Sequence, residues 1–378
     1  MKESLSILSE DTEPVAACPG EDTAQFIVGF RQKVRGQHIP LSGTFTLTHR
    51  CNFRCPHCYL GGKLEQADPS REQPLPVIAG ILDQAAEAGC LTLLLTGGEP
   101  LLRPDFADIY RYAARKGMLL TVFTNGSLLT ADIVALFRSY PPRAVEITLY
   151  GASEETYRRV TGRRGMHERV LRGIRQLKEA GVRFRLKAML MKDTELDLPA
   201  LEHFAAELNA PFRFDAALSP TLDGGSDPLA SRLAPERVAE HEVSSQAQSA
   251  LWARTMNALP DVAGEDDRLY TCGAGRTGFH LDPRGRLSPC LMIPWLTFDL
   301  ATIPFTRAWQ EIGKAMDGMK APPDFPCRPC RYKNVCGYCP AFFRLETGSE
   351  QIRSDYLCAL GQCRLDKSKP TRETCTHG

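Results

Sequence analysis

From residue 43 to about residue 214 the chain alternates short apolar runs with amphipathic stretches, and this alternation limits its fold more than any other feature. The apolar runs occupy 44–48, 91–96, 119–124, 144–149, 184–190 and 212–216. Unbroken apolar runs of this length read as strands buried on both faces, as in a parallel sheet. Between them, 77–88, 106–116, 131–139, 167–180 and 198–208 repeat apolar residues at spacings of three and four, as in Ile78, Ile81, Leu82 and Ala85. That is the period of a helix with one buried face. Several helical stretches stop at a glycine (Gly89, Gly117, Gly181), the residue a left-handed C-terminal cap favours, and a strand follows at once. Six such units predict an α/β fold, a partial (β/α)6 TIM-like barrel. In such a barrel the chemistry collects where the strands end.

The chain's motifs fall at those ends. After the first strand comes Cys51-Asn-Phe-Arg-Cys55-Pro-His-Cys58, three thiols within eight residues. They can all face one inorganic object. A four-iron four-sulfur cluster held by three cysteines keeps one iron open to a ligand, whereas a zinc knuckle or unrelated buried cysteines would use the same loop otherwise. Gly97-Gly98-Glu99-Pro100 follows the second strand, Asn125-Gly126 the third and Tyr150-Gly151 the fourth. Glycines there let backbone approach a ligand closely, and a buried Glu99 can accept hydrogen bonds from an ammonium group.

The final third carries a second cysteine pattern: Cys272, Gly285 and Cys290, then Cys327-Arg-Pro-Cys330, Cys336-Gly-Tyr-Cys339 and Cys358. Residues 279–287 read as a β-hairpin turning at Asp282-Pro283-Arg284-Gly285, which would hold Cys272 and Cys290 beside one metal centre. Two Cys-x-x-Cys pairs in thirteen residues are also a zinc-ribbon signature. Seven cysteines cannot fill two four-cysteine sites. The chain has 14 cysteines, set mostly in close clusters, with no apolar export signal at its start, so metal or iron–sulfur ligation outweighs disulfides. Lys and Arg (46) balance Asp and Glu (45), which argues against a nucleic-acid or membrane partner, and no apolar run is long enough to span a bilayer. These features predict a cytoplasmic protein.

The expected organisation is a lead at 1–42, the barrel at 43–218, a linker and helix at 219–267 and a cysteine-rich C-terminal domain at 268–378. Within the lead, 26–34 reads as a short strand or helix, and Cys18 as an unligated thiol. Residues 219–235, rich in Pro, Gly, Asp and Ser, read as a loop over the barrel mouth, with a helix following from 233 to about 256.

The CxxxCxxC loop, with His57 before its last cysteine and the Gly-Gly-Glu-Pro run, resembles the radical S-adenosylmethionine (SAM) enzymes. The resemblance covers roughly residues 43–360. It implies a [4Fe-4S] cluster on Cys51, Cys55 and Cys58 whose open iron binds the methionine end of SAM. Reductive cleavage then gives a 5′-deoxyadenosyl radical that takes hydrogen from the substrate. It also implies Gly97, Gly98 and Glu99 around the methionine amino group, and His57 near the adenine with backbone around Tyr59. Thr124, Asn125 and Thr148 occupy positions of ribose or carboxylate contacts, and Arg169, among the Arg158, Arg159, Arg163, Arg164 run, is the expected carboxylate partner. Where many relatives have Ser-Leu-Asp-Gly, this chain has Thr148-Leu-Tyr150-Gly151.

The second cysteine pattern resembles the SPASM extension, which implies two auxiliary iron–sulfur clusters, expected as [4Fe-4S]. Cys272, Cys290 and Cys339 would hold the first, and Cys327, Cys330, Cys336 and Cys358 the second. The Cys336–Cys339 gap is one residue shorter than the commonest spacing. Cys363 is extra, either a fourth ligand of the first cluster or a free thiol, and Cys375 lies in a polar tail. Relatives of this build mostly modify peptides, so a precursor peptide is the expected substrate and a thioether or other side-chain crosslink the expected product. A separate small peptide-recognition protein and an electron donor such as a flavodoxin or ferredoxin are the expected partners. An enzyme of small molecules, such as tetrapyrroles or sugars, and a non-catalytic electron carrier stay open. No general base stands out among Asp215, Asp223, Tyr150 and His280.

Overall fold

The computed structural model describes residues 37–245, 249, 252 and 267–367. The expectations for 26–34, Cys18, Cys375 and the far half of the 233–256 helix lie outside the described residues. In chain order the elements of the barrel are β1 (Ser42–Thr46), α1 (Leu75–Glu87), β2 (Thr92–Thr96), α2 (Phe106–Arg115), β3 (Leu119–Thr124), α3 (Ala131–Ser139) and β4 (Ala144–Leu149). Next come α4 (Glu154–Thr161), α5 (Met166–Glu179), β5 (Phe184–Met189), α6 (Leu198–Glu207) and β6 (Phe212–Asp215). The C-terminal part adds α7 (Pro235–Ser244), β7 (Gly278–Leu281), β8 (Arg286–Ser288), β9 (Phe298–Asp299), α8 (Phe305–Gly318), α9 (Pro340–Thr347) and α10 (Asp355–Lys367).

The six expected parallel strands are present as one half-barrel, each hydrogen-bonded to the next in chain order. The strands are less uniformly apolar than expected: on β4 Val145, Ile147 and Leu149 are buried toward the helices and Glu146 faces the barrel interior, and on β5 and β6 charged residues alternate with apolar ones. On α1 the buried residues are the four at the expected spacing, Ile78, Ile81, Leu82 and Ala85. Three departures have physical reasons. β1 lies two residues earlier than expected, because it pairs in register from Ser42 with Thr92 to Thr46 with Thr96 and the chain then turns out toward the cysteine loop. An additional helix, α4, stands between β4 and α5 where no helix was expected, and carries Arg158 and Arg159. Its ends carry ordinary signals, with the Ser153 hydroxyl accepting from Thr156 N–H and Gly162 at φ 67° closing it.

The third departure concerns the C-terminal hairpin. It forms where expected, but β7 pairs in parallel with the free side of β1, from Ser42 with Gly278 to Phe45 with Leu281. One nine-stranded sheet therefore runs β6-β5-β4-β3-β2-β1-β7-β8-β9, crossing the change of composition that had marked a separate domain. Gly43 permits this close approach: a Cβ there would lie 2.5 Å from the Phe279 ring and 2.8 Å from Leu93. A single apolar core joins Phe45, Leu93 and Ile81 to Phe279, Phe305 and Ile312.

Candidate active site

At the C-terminal ends of the strands lies a cavity of about 620 Å³. Cys51, Cys55 and Cys58 open onto one side of it and Cys272 and Cys290 onto another. The cysteine loop is fixed by backbone contacts. Gly98 N–H donates to the Thr48 carbonyl and Glu99 N–H to the Arg50 carbonyl, both at 2.8 Å. A Cβ on Gly97 would lie 2.5 Å from the Thr48 oxygen and one on Gly98 2.4 Å from the Arg50 oxygen, so the turn after β2 can lie against the loop only as glycine. From the other side, Arg54 donates to the carbonyls of Cys51 (2.6 Å) and Phe53 (2.9 Å), and Arg163 to that of Asn52 (2.9 Å). The amide of Asn125 donates to the Asn52 side chain at 2.8 Å, and Asn52 in turn to Ser127 at 2.8 Å.

The expected residues divide. His57, Tyr59, Gly97, Gly98, Thr124, Asn125 and Thr148 all line the cavity. Glu99 does not; it is fully buried behind it, taking hydrogen bonds from Leu101 N–H (3.1 Å), the Thr124 hydroxyl (2.8 Å) and Asn125 N–H (2.7 Å). Its carboxylate tightens the ends of β2 and β3, and burial raises its pKa to about 7 against those three donors. Arg169 needs a correction: it stands exposed on α5 and does not reach the cavity. Its neighbours are spent elsewhere, Arg158 on Glu155 and Arg159 on Asp193. The cation that lines the cavity is Lys187 of β5, which the sequence reading missed. It sits 3.9 Å over the Phe123 ring and 3.2 Å from Glu146, and burial lowers its pKa. The signal was there, since every second residue of a barrel strand points inward and 187 shares that parity with 189.

Of the acid–base candidates, Asp215 and Tyr150 line this cavity, whereas Asp223 and His280 line a neighbouring one. His280 is hydrogen-bonded at both ring nitrogens, to Thr46 Oγ1 (2.9 Å) and Ser288 Oγ (3.1 Å).

The donor set fits an iron–sulfur cluster and SAM. Burial raises the Cys51 thiol to about 11 and also raises Cys55 and Cys58, so a cation bound there would have to displace their protons. Among the described residues no group of three or more His, Cys, Asp or Glu side chains is close enough to hold a single ion. The thiols border cavities instead. His57 Nδ1 is buried without a hydrogen-bond partner, and burial lowers its pKa to about 4, so a neutral imidazole next to the cavity is left with a nitrogen for a ligand. Its ring lies 5.9 Å from Tyr150.

In the C-terminal part, Cys290 feels the charges of Cys339 and Cys272. Cys327, Cys330, Cys336 and Cys358 surround a separate cavity of about 300 Å³. Cys363 joins neither set. Five residues after Cys358 on α10, it points to another face and bonds to Glu236.

The sequence pattern of the Radical SAM superfamily matches residues 45–205. The AdoMet-dependent heme synthase of Methanosarcina barkeri is 29% identical over 322 residues, covering 80% of this chain and 91% of that protein. The PqqA peptide cyclase of Ruegeria pomeroyi is 28% identical over 308 residues, 78% of this chain and 81% of that protein. The solved structure of Streptococcus suis SuiB bound to precursor peptide SuiA superposes with a TM-score of 0.68 at 19% identity, covering 94% of this chain and 84% of that one. The superfamily match spans the cysteine loop and five of the barrel strands, and the likeness of fold continues through the C-terminal hairpin. Residues 45–205 carry the Radical SAM domain, and the chain is a radical S-adenosylmethionine enzyme.

Proposed function

We propose that the chain modifies a ribosomal precursor peptide, forming a thioether or another side-chain crosslink. One observation carries this reading: a single cavity is walled by the cysteine loop on one side and by Cys272 and Cys290 on the other. With Cys51, Cys55 and Cys58 loaded, the bound cluster supplies the electron that cleaves SAM to methionine and a 5′-deoxyadenosyl radical. The chain's own residues orient the partners. Gly97 and Gly98 bring backbone to the methionine end, His57 offers its unpaired nitrogen, and Thr124, Asn125 and Thr148 offer polar groups along the strand ends. Phe123, Leu94 and Met189 give the chamber apolar walls, which keep a radical away from water.

Joining a thiol to a carbon removes two electrons from the peptide. The first leaves as a hydrogen atom to the radical, and the second needs an acceptor close to the product. Cys272, Cys290 and Cys339 would hold such an acceptor, and with Cys363 beside Glu236 outside the set, a cluster on three thiols would leave an iron for a peptide thiolate. Cys327, Cys330, Cys336 and Cys358 would hold the second auxiliary cluster, toward an external electron donor such as a flavodoxin or ferredoxin. A separate small recognition protein would deliver the peptide.

The test begins with anaerobically reconstituted protein beside the Cys51→Ala, Cys55→Ala, Cys58→Ala triple variant. The expected result is about twelve irons per chain, falling to about eight in the variant with all 5′-deoxyadenosine release lost. Stoichiometric zinc without cleavage would overturn the cluster assignment. With the small precursor peptide expected beside its gene, the reduced holoenzyme should then lower the peptide mass by about two hydrogens per crosslink. The extent of the match to a heme synthase favours one second reading, radical modification of a tetrapyrrole. A tetrapyrrole whose mass changes where the peptide's does not would select it.

A further inference from the structure

A second cavity of about 450 Å³ adjoins the first, and Leu291, the residue after Cys290, lines both. Leu60, Leu222 and Leu345 pack with Leu291 and Trp295 into a small apolar partition. Beyond it the lining becomes charged, with Lys63, Arg286 and Arg344 against Asp223 and Asp282. Most of these groups are already engaged. Asp282 binds Arg286 Nε at 2.7 Å and the backbone N–H groups of Arg284 and Arg286. Asp223 accepts from the Thr221 hydroxyl. Arg344 lies over the Trp295 ring at 4.2 Å, with Glu350 no nearer than 3.6 Å, and Glu350 itself serves Tyr270 (3.0 Å) and Trp295 (3.1 Å).

Lys63 differs from its neighbours. It is half-buried against the cavity, and its ammonium group makes neither a hydrogen bond nor an ion pair with any described residue. Burial lowers its pKa, with Asp282 and Asp223 opposing. Arg286 is paired with Asp282 and Arg344 stands 3.6 Å from Glu350, so Lys63 is the lining cation left with no carboxylate within 4 Å among the described residues. A carboxylate would pair with Lys63, whereas a phosphate dianion would also face Asp223 and Asp282.

We propose that this second cavity is a carboxylate-binding subsite, in which Lys63 and Arg344 hold an acidic group of a peptide that passes Leu291 on its way out of the reaction chamber. The idea rests on the peptide reading above. An extended chain advances about 3.3 Å per residue, so the recognised carboxylate belongs to a residue close in sequence to the reacting one. It is either an acidic side chain or the C-terminal carboxylate.

The test is calorimetric titration of the cluster-loaded protein with acetyl-Gly-Glu-Gly-amide, with acetyl-Gly-Gln-Gly bearing a free C-terminus, and with acetyl-Gly-Gln-Gly-amide. One or other acidic probe should bind about five- to tenfold more tightly than the neutral one, and which of the two does so identifies the source of the carboxylate. Lys63→Met should abolish that preference and Lys63→Arg should keep it, with Arg344→Gln weakening it independently. Equal binding of all three probes, or a preference unchanged in Lys63→Met, overturns the subsite. Lys63-dependent preference supports it whether or not the precursor peptide changes mass. Modification of the peptide without any such preference removes the subsite and leaves the peptide reading standing.

Discussion

Glu99 spends both carboxylate oxygens inside the protein, and that makes it a brace between strand ends. Replacing it with Gln keeps the shape but puts an NH2 where one oxygen accepted, so either Asn125 N–H or the Leu101–Thr124 pair loses its acceptor. Leaving a buried donor unsatisfied costs about 1–3 kcal/mol. Glu99→Gln should therefore lower the urea midpoint of the apo protein at unchanged slope, and an unmoved midpoint would refute the bracing role. At Gly98 the constraint is steric. Gly98→Ala must push the Arg50 carbonyl away, and with it the start of the cysteine loop, so reconstituted protein should carry about four irons fewer than wild type. Wild-type iron content in that variant would show that the loop tolerates displacement. These residues were legible because short-range spacing alone brings the cysteines and the glycine turn to the same strand ends. What the Glu99 carboxylate faces was not legible, since it depends on which of two strand ends supplies the donors. Arg169 and Lys187 show the same limit. Each was one of several cations, and only the register of a helix or strand decides which cation reaches the chamber.

Among the elements, β1 holds the fold together by pairing on both sides, with β2 and with β7. The six barrel strands and five of their helices could be read from periodicity because each buries its own face locally. The docking of β7 could not, because parallel backbone pairing carries little sequence information and the partners are far apart; His280 and Thr46 are 234 residues apart. That contact provides a pH test. Burial lowers the His280 pKa to about 3, from an ordinary value near 6.5, since its charged form would lose solvent and one of its two hydroxyl partners. A depressed histidine pKa contributes stability that is complete above the unfolded value and is lost as the pH falls toward the folded one. Between pH 6.5 and 5 the loss from this residue should be about 2 kcal/mol. His49 and His57, whose pKa values burial lowers to about 4, add to the same fall, so chemical denaturation of the apo protein at both pH values should show His280→Gln losing about 2 kcal/mol less than wild type. An equally steep fall in the variant would assign the effect to other groups.

For the whole molecule, the continuous sheet matters because it sets the two cysteine regions against one cavity. A flexibly tethered C-terminal domain would let Cys272 and Cys290 drift from the cysteine loop; a shared sheet and core fix them. The seam is substantial. Phe279 packs edge-on to Phe305 at 5.2 Å and to Trp309 at 6.3 Å, Phe305 N–H donates to Gln84 Oε1 at 2.9 Å, and Trp309 donates to the His38 carbonyl. Cutting the chain after Ser245 would strip β7 from β1, leaving the five-residue edge of β1 with bare backbone donors and acceptors, a template for aggregation. It would also uncover Phe45, Leu93 and Ile81 where they share a core with the C-terminal helix α8. The full chain should accordingly melt in a single transition by far-UV circular dichroism, and the truncated chain should be insoluble or lack a cooperative transition. A soluble truncated half-barrel with its own sharp midpoint would mean that the two parts fold independently. The common cavity would then depend on a docking equilibrium between them, and the proposed transfer of the second electron to the Cys272, Cys290 and Cys339 set would have to wait on that docking.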